Sequence, residues 1–151
     1  MTADRHAIAT PAAASTAAVT PVAAVGRAPL SACIIAFNEA DRIGDCVASL
    51  SFCDEIVVID SGSTDGTREV AQRAGARVLV RPFDGFRSQK QFAVDQCAHD
   101  WVLSLDADER VDARLRASIE AEREGGFVRA AGYRFARMSE YYGRFLRHGT
   151  A

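Results

Sequence analysis

Four short runs of unbroken apolar residues, each cut off by polar side chains at its carboxyl end, constrain this chain more than any other feature. Leu30 to Phe37 (LSACIIAF) stops at Asn38-Glu39, and Glu55 to Asp60 (EIVVID) stops at Ser61-Gly62-Ser63-Thr64-Asp65-Gly66. Ala76 to Val80 (ARVLV) is ended by Pro82, and Trp101 to Leu105 (WVLSL) leads into Asp106-Ala107-Asp108. Runs of this length without alternation predict strands buried on both faces. Helical patterns separate them. Ile43, Val47 and Leu50 recur at helical spacing, and Thr64 to Ala74 reads as a helix that Gly75 stops. Arg87 to His99 is helix-compatible, and Asp112 to Glu124 is amphipathic, with Leu115 and Ile119 on one face and Gly125-Gly126 at its end. Tyr133 to Tyr142 reads as one further strand.

Strands alternating with helices predict an α/β fold, a doubly wound and mostly parallel sheet. In the order third-second-first-fourth, the first and fourth strands lie side by side at the switch point, where ligands bind beyond the carboxyl ends. Asn38 and Glu39, Asp60 to Ser63, and Asp106 to Asp108 would then converge on one crevice.

A chain of 151 residues suggests about one domain. Hydrophobic residues at 48% and charged residues at 25% exclude a wholly disordered chain, a collagen-like repeat and a disulfide-dense mini-protein. Residues 1–29, rich in Ala, Thr and Pro, read as a disordered leader, and residues 30–151 as the domain. The formal charge of −2 gives no reason to expect nucleic acid as a partner. Cys33, Cys46, Cys53 and Cys97 form no C-x-x-C pair and read as buried small hydrophobes in a reducing compartment. The segment from residue 129 onward is basic. It reads either as a solvated, loosely held end or as a surface for phosphates or an anionic membrane face.

Two carboxylates at a strand mouth, Asp106 and Asp108, repel each other unless a cation relieves them. Mg²⁺ and Mn²⁺ sites use one or two such carboxylates and let substrate phosphates supply further oxygens. The bland alternative is an acidic loop, with Glu109 and Asp112 as charges at the start of the next helix. Asp60 at a strand end suits ribose recognition, but no G-x-G-x-x-G follows the first strand, so a dinucleotide-binding dehydrogenase is excluded. Ser63, Thr64 or Asp65 could cap the following helix. Lys90, the single lysine beside 17 arginines, is either a solvated helix cation or a diphosphate contact.

The runs SACIIAFNEADRIGDCVASL, DEIVVIDSGSTDGT and QKQFAVDQCAHDWVLSLDADE, in that order over residues 30 to 148, resemble the inverting glycosyltransferases of family 2, and among them the lipopolysaccharide core enzymes. The resemblance implies a GT-A fold, a Rossmann-like half that binds a nucleotide sugar, usually a UDP-sugar, with Mg²⁺ or Mn²⁺. On that pattern Asn38 and Glu39 border the nucleoside. Asp60, with Ser61 and Gly62, meets uracil or ribose, and Lys90 meets the diphosphate. Asp108 ligates the metal, and Asp106 holds ribose or takes part at the metal through water. The sugar would pass with inversion to a glycan or glycolipid such as lipopolysaccharide core. The cytoplasm or the inner face of its membrane is the expected place, with peripheral contact through the basic segment. The family draws its general base from residues after the D-x-D half, so the chain reads as a C-terminally truncated member and no base is assigned. Two alternatives stand beside this. One is a non-catalytic nucleotide-binding fragment; the other is a sugar-nucleotidyltransferase, which lacks support because no Gly-rich basic loop follows the first strand.

Overall fold

A computed structural model describes residues 8–11, 26–137, 139–141 and 144–146. The strands are β1 (Ile8–Pro11), β2 (Leu30–Ala36), β3 (Glu55–Asp60), β4 (Arg77–Val80), β5 (Trp101–Asp106), β6 (Tyr133–Arg134), β7 (Ser139–Tyr141) and β8 (Arg144–Leu146). The helices are α1 (Ile43–Ser49), α2 (Thr67–Arg73), α3 (Phe86–Asp95) and α4 (Ala113–Glu124). One six-stranded sheet runs β4-β3-β2-β5-β1-β6, and β7 and β8 form a separate hairpin. The pairs β3–β4, β2–β3 and β2–β5 are parallel. The expected order is therefore met, with β2 and β5 adjacent at the switch point.

Alternate side chains of each strand serve different faces. Ala32, Ile34, Ala36, Val58, Leu103 and Leu105 pack with residues of α1 and α4 on one face. Cys33, Val57, Ile59 and Val102 pack with Ala93 of α3 on the other. Both faces are covered, which is why the strands read as continuous apolar runs.

Local chemistry sets the ends of the elements. Gly75 adopts a left-handed φ of 99°. The N–H groups of Gly75 and Ala76 donate to the carbonyls of Gln72 and Ala71, closing α2 with a Schellman turn. Asp112 caps α4 by accepting from Leu115 N–H at 2.7 Å. The start of α2 differs from expectation: the helix begins at Thr67, and none of Ser63, Thr64 and Asp65 is its N-cap residue. Asp65 instead accepts Thr67 N–H from one position further out, at 3.0 Å.

The ends of the chain are described only in part. Of residues 1–29 the structure describes 8–11 and 26–29. Ile8–Pro11 pairs antiparallel with Trp101–Leu103, because β5 otherwise presents a free edge of backbone donors and acceptors. Arg27 forms ion pairs with Asp54 and Glu124, and Ala28 N–H donates to Arg123 O. The single strand expected over residues 133–142 is split. Tyr133–Arg134 joins the main sheet beside β1, whereas Ser139–Tyr141 pairs with Arg144–Leu146. Trp101, Phe127 and Tyr133 stack with centroids 4.5 to 5.9 Å apart and fix the first part. Within the basic segment, Arg129 pairs with Glu122 and Arg137 with Asp106.

Candidate functional site

Strand register brings the expected residues to one rim. Asp60 lies beside Ala36 and Asp106 beside Ile35, on opposite sides of β2. Two strand spacings put their backbones roughly 10 Å apart.

Asp60 is fully buried. Its Oδ2 accepts from Gly62 N–H at 3.0 Å and from Ser63 N–H at 2.9 Å, folding the loop back over the strand end. Gly62 makes this turn with a φ of 91°, a conformation that a side chain would strain. Among the described residues Oδ1 of Asp60 has no hydrogen-bond partner, and Nε of Arg68 is likewise buried and unpartnered. That Nε stands 4.0 Å from Oδ2, beyond hydrogen-bond reach. A buried acceptor left open beside a buried donor is costly unless something else completes it.

Asn38 latches the first strand end to this loop. Its φ is 53°, a left-handed conformation that Asn tolerates. Its N–H donates to Ser63 Oγ at 2.9 Å, and its Oδ1 accepts from Thr64 N–H at 2.9 Å. Glu39 N–H donates to Thr67 Oγ1 at 2.8 Å, while the Glu39 carboxylate pairs with Arg42 at 3.3 Å. Ser61 Oγ accepts from Gln89 Nε2 at 3.1 Å, joining the loop to α3. Asn38, Glu39, Ser61 and Gly62 thus build the loop that presents Asp60.

At the end of β5 the charges are arranged differently. Lys90, reaching in from α3, places Nζ 2.9 Å from Asp106 Oδ1. Arg137 lies 3.5 Å from Asp106 Oδ2 and also pairs with Glu109. Glu109 in turn accepts from Asp106 N–H at 2.7 Å. Asp108 is exposed and has no ion pair or hydrogen bond among the described residues. Cys46 donates its thiol to Asp106 O at 3.7 Å. Burial, reinforced by Asp108, pushes that thiol up to about 12, so it stays protonated at neutral pH and is no thiolate ligand.

The donor set at this end consists of hard oxygens, which suits Mg²⁺ or Mn²⁺. Among the described residues no three His, Cys, Asp or Glu side chains converge as a ready cage. The protein would therefore contribute one or two carboxylates, the pattern in which substrate phosphates complete the shell. Asp108 is open for that role. Asp106 already carries two cationic side chains, so the position is one that selects positive charge, and its direct ligation requires at least one of them to move.

Of the two readings of Lys90, the structure shows an ion pair with Asp106 that joins α3 to the end of β5. Arg68, Glu109 and Arg137 join the site without a sequence signal that marks them for it. Arg68 falls one residue into α2, where a helical arginine carries no pattern of its own. Arg137 comes 31 positions after Asp106, with nothing in the intervening residues to pair them.

The family model described as glycosyl transferase family 2 matches residues 31–146. The lipopolysaccharide core biosynthesis glycosyltransferase LpsC of Rhizobium meliloti (strain 1021) is 47% identical over 97 residues, covering 61% of this chain and 36% of that protein. With 32% coverage of a glycosyltransferase from Rickettsia felis as well, the chain spans about one third of the length of such curated relatives. Among solved structures, mannosyl-3-phosphoglycerate synthase from Rubrobacter xylanophilus aligns with a TM-score of 0.51 at 28% identity, over 56% of this chain and 32% of that one. Glucosyl-3-phosphoglycerate synthase from Mycobacterium tuberculosis, solved with Mn²⁺, UDP and glucosyl-3-phosphoglycerate, aligns with a TM-score of 0.46 at 26% identity, over 55% of this chain and 36% of that one. The family match spans well over half of the sequence, and the chain belongs to glycosyl transferase family 2.

Proposed function

We propose that this chain carries the donor-binding half of an inverting glycosyltransferase. It would take a sugar from a UDP-sugar and pass it to a glycan or glycolipid, with lipopolysaccharide core as the leading acceptor class. The observation that carries the donor assignment is the open Oδ1 of buried Asp60 beside the unpartnered Nε of Arg68. Uracil offers an imide N–H flanked by carbonyls. The N–H complements a carboxylate acceptor, and a flanking carbonyl complements a guanidinium donor. Similarity to the Rhizobium meliloti lipopolysaccharide core enzyme supports the acceptor class.

The residues divide the work along the rim. Asp60 and Arg68 orient the base, and the Asn38 latch keeps their loop in place. Asp108 would hold a divalent ion at the diphosphate end, and Lys90 would direct a second positive charge to the same end. When bound, that ion neutralises charge building on the leaving diphosphate. Preorganised cations of this kind act where charge develops, without reorganising at the moment of reaction.

Calorimetry tests the reading. UDP should bind in the presence of Mn²⁺ or Mg²⁺, and Asp108→Asn should weaken that binding by at least about tenfold, as loss of a charge-assisted contact implies. Metal-independent binding that D108N leaves unchanged would overturn the site assignment.

A further inference from the structure

We propose that Arg137 is a tethered cation that holds the Asp106 carboxylate in the place of a divalent ion, so that metal enters this site by displacing it. The proposal rests on the metal-assisted reading above and adds to it a residue that sets metal affinity. Asp106, Asp108 and Glu109 put three carboxylates within four positions at the mouth of β5. Two side chains answer them. Lys90 takes Oδ1 of Asp106 at 2.9 Å, and Arg137 takes Oδ2 at 3.5 Å while also pairing with Glu109. Both oxygens of Asp106 are therefore occupied by cations, and Asp108 alone is left open.

The two cations are mounted differently. Lys90 sits within a ten-residue helix whose Gln89 and Ala93 are buried against the sheet. Arg137 lies in the stretch between β6 and β7, outside regular structure, and its side chain keeps 30% of its surface exposed. Of the two, Arg137 is the one that can leave without moving an element of the fold. It also has reason to leave. A doubly charged ion brought to Asp106 while a guanidinium spans Asp106 and Glu109 would meet a cation at close range. Metal and guanidinium thus compete for the same carboxylate oxygens, and competition is reciprocal: what weakens one strengthens the other. Metal loading is thereby coupled to release of the segment that carries Arg137.

Free Mn²⁺ measured by electron paramagnetic resonance, titrated into the full chain with excess UDP and read against UDP alone, reads this directly. Arg137→Gln should bind Mn²⁺ at least about fivefold more tightly than the unaltered chain. Arg134→Gln removes the same charge from a neighbouring exposed position and should stay within about twofold. Equal gains in both variants would reduce the effect to bulk charge and overturn the proposal, and so would weaker Mn²⁺ binding in R137Q. Should R137Q not fold, the unaltered chain still decides. Mn²⁺ should hasten tryptic cleavage after Arg137, and an unchanged rate overturns displacement. If neither protein binds Mn²⁺ at all, the metal reading falls and takes this proposal with it.

Discussion

The amino-terminal and carboxyl-terminal rims of the sheet carry the same kinds of side chain and use them in opposite ways. At the amino rim Glu55, Asp54 and Arg123 are each held by several partners. Glu55 accepts from Ser31 Oγ and Ala98 N–H, each at 2.8 Å, and from Arg77 at 2.9 Å. Arg123 is fully buried and donates to Ala28 O at 2.6 Å, to Phe52 O at 2.7 Å and to Asp54. Asp54 also accepts Leu30 N–H at 2.8 Å. The carboxyl rim is left incomplete: Asp60 keeps one oxygen without a partner, and Asp108 has none among the described residues. A carboxylate with all its lone pairs taken is a fixture. One with a lone pair to spare is a receptor.

The largest expected effect breaks the fixture. Arg123→Ala removes a buried guanidinium that ties α4 to the residues leading into β2 and β3. Losing one member of a buried ion pair costs about 3–5 kcal/mol, and the low end applies because the Asp54 side chain keeps 34% of its surface exposed. Urea unfolding should register that loss, while the protein that remains folded binds UDP with unaltered affinity. A cost below about 1 kcal/mol, the range of a surface pair, would show that the amino rim is not a closed network.

A smaller effect, at the opposite rim, falls on binding. Asp60→Asn keeps the shape of the side chain but makes one acceptor a donor. The amide oxygen should turn to Gly62 and Ser63, whose N–H groups require an acceptor. The NH₂ then takes the place of the unpartnered Oδ1, where a uracil imide would meet donor against donor. Removing a hydrogen bond to a charged group costs about 1.5–3 kcal/mol, so UDP affinity should fall by at least tenfold. The urea midpoint should move far less than in R123A. Equal loss of stability in both variants would erase the distinction between the rims.

The open rim is the more legible of the two in the amino-acid sequence. The strand order follows from four apolar runs separated by helical patterns, and the rim residues follow from where those runs stop. Gly75 and Asp112 announce the turn and the cap they make. Pairings between distant positions leave no such trace. The contacts of Lys90 with Asp106 and of Arg123 with Ala28, Phe52 and Asp54 join segments whose spacing carries no periodic signal. β1 is hidden for a different reason. Ladder hydrogen bonds are made by the backbone, so the antiparallel pairing of Ile8–Pro11 with β5 leaves no side-chain pattern to read.

The smallest expected effect sharpens the comparison through pH. Burial works against the charge on Asp54, but Leu30 N–H and the guanidinium groups of Arg123 and Arg27 outweigh it and hold the carboxyl below its ordinary value of 3.8. Burial likewise opposes Glu55, and Ala98 N–H, Arg77 and Ser31 together hold it below 4.5. A carboxyl with a lowered folded value binds its proton more readily in the unfolded chain, so unfolding takes up protons in acid. The stability these two groups contribute is therefore full above their ordinary values and is lost as pH falls through them toward the folded ones. The urea midpoint should stay level from neutrality to about pH 5 and decline below it. Solvent screening keeps the decline modest, since Asp54 is half-buried only. In R123A one of the causes acting on Asp54 is gone, so the acid slope should be shallower than in the unaltered chain. An identical slope in the two proteins would mean that the Arg123–Asp54 pair does not set the charge state of this rim.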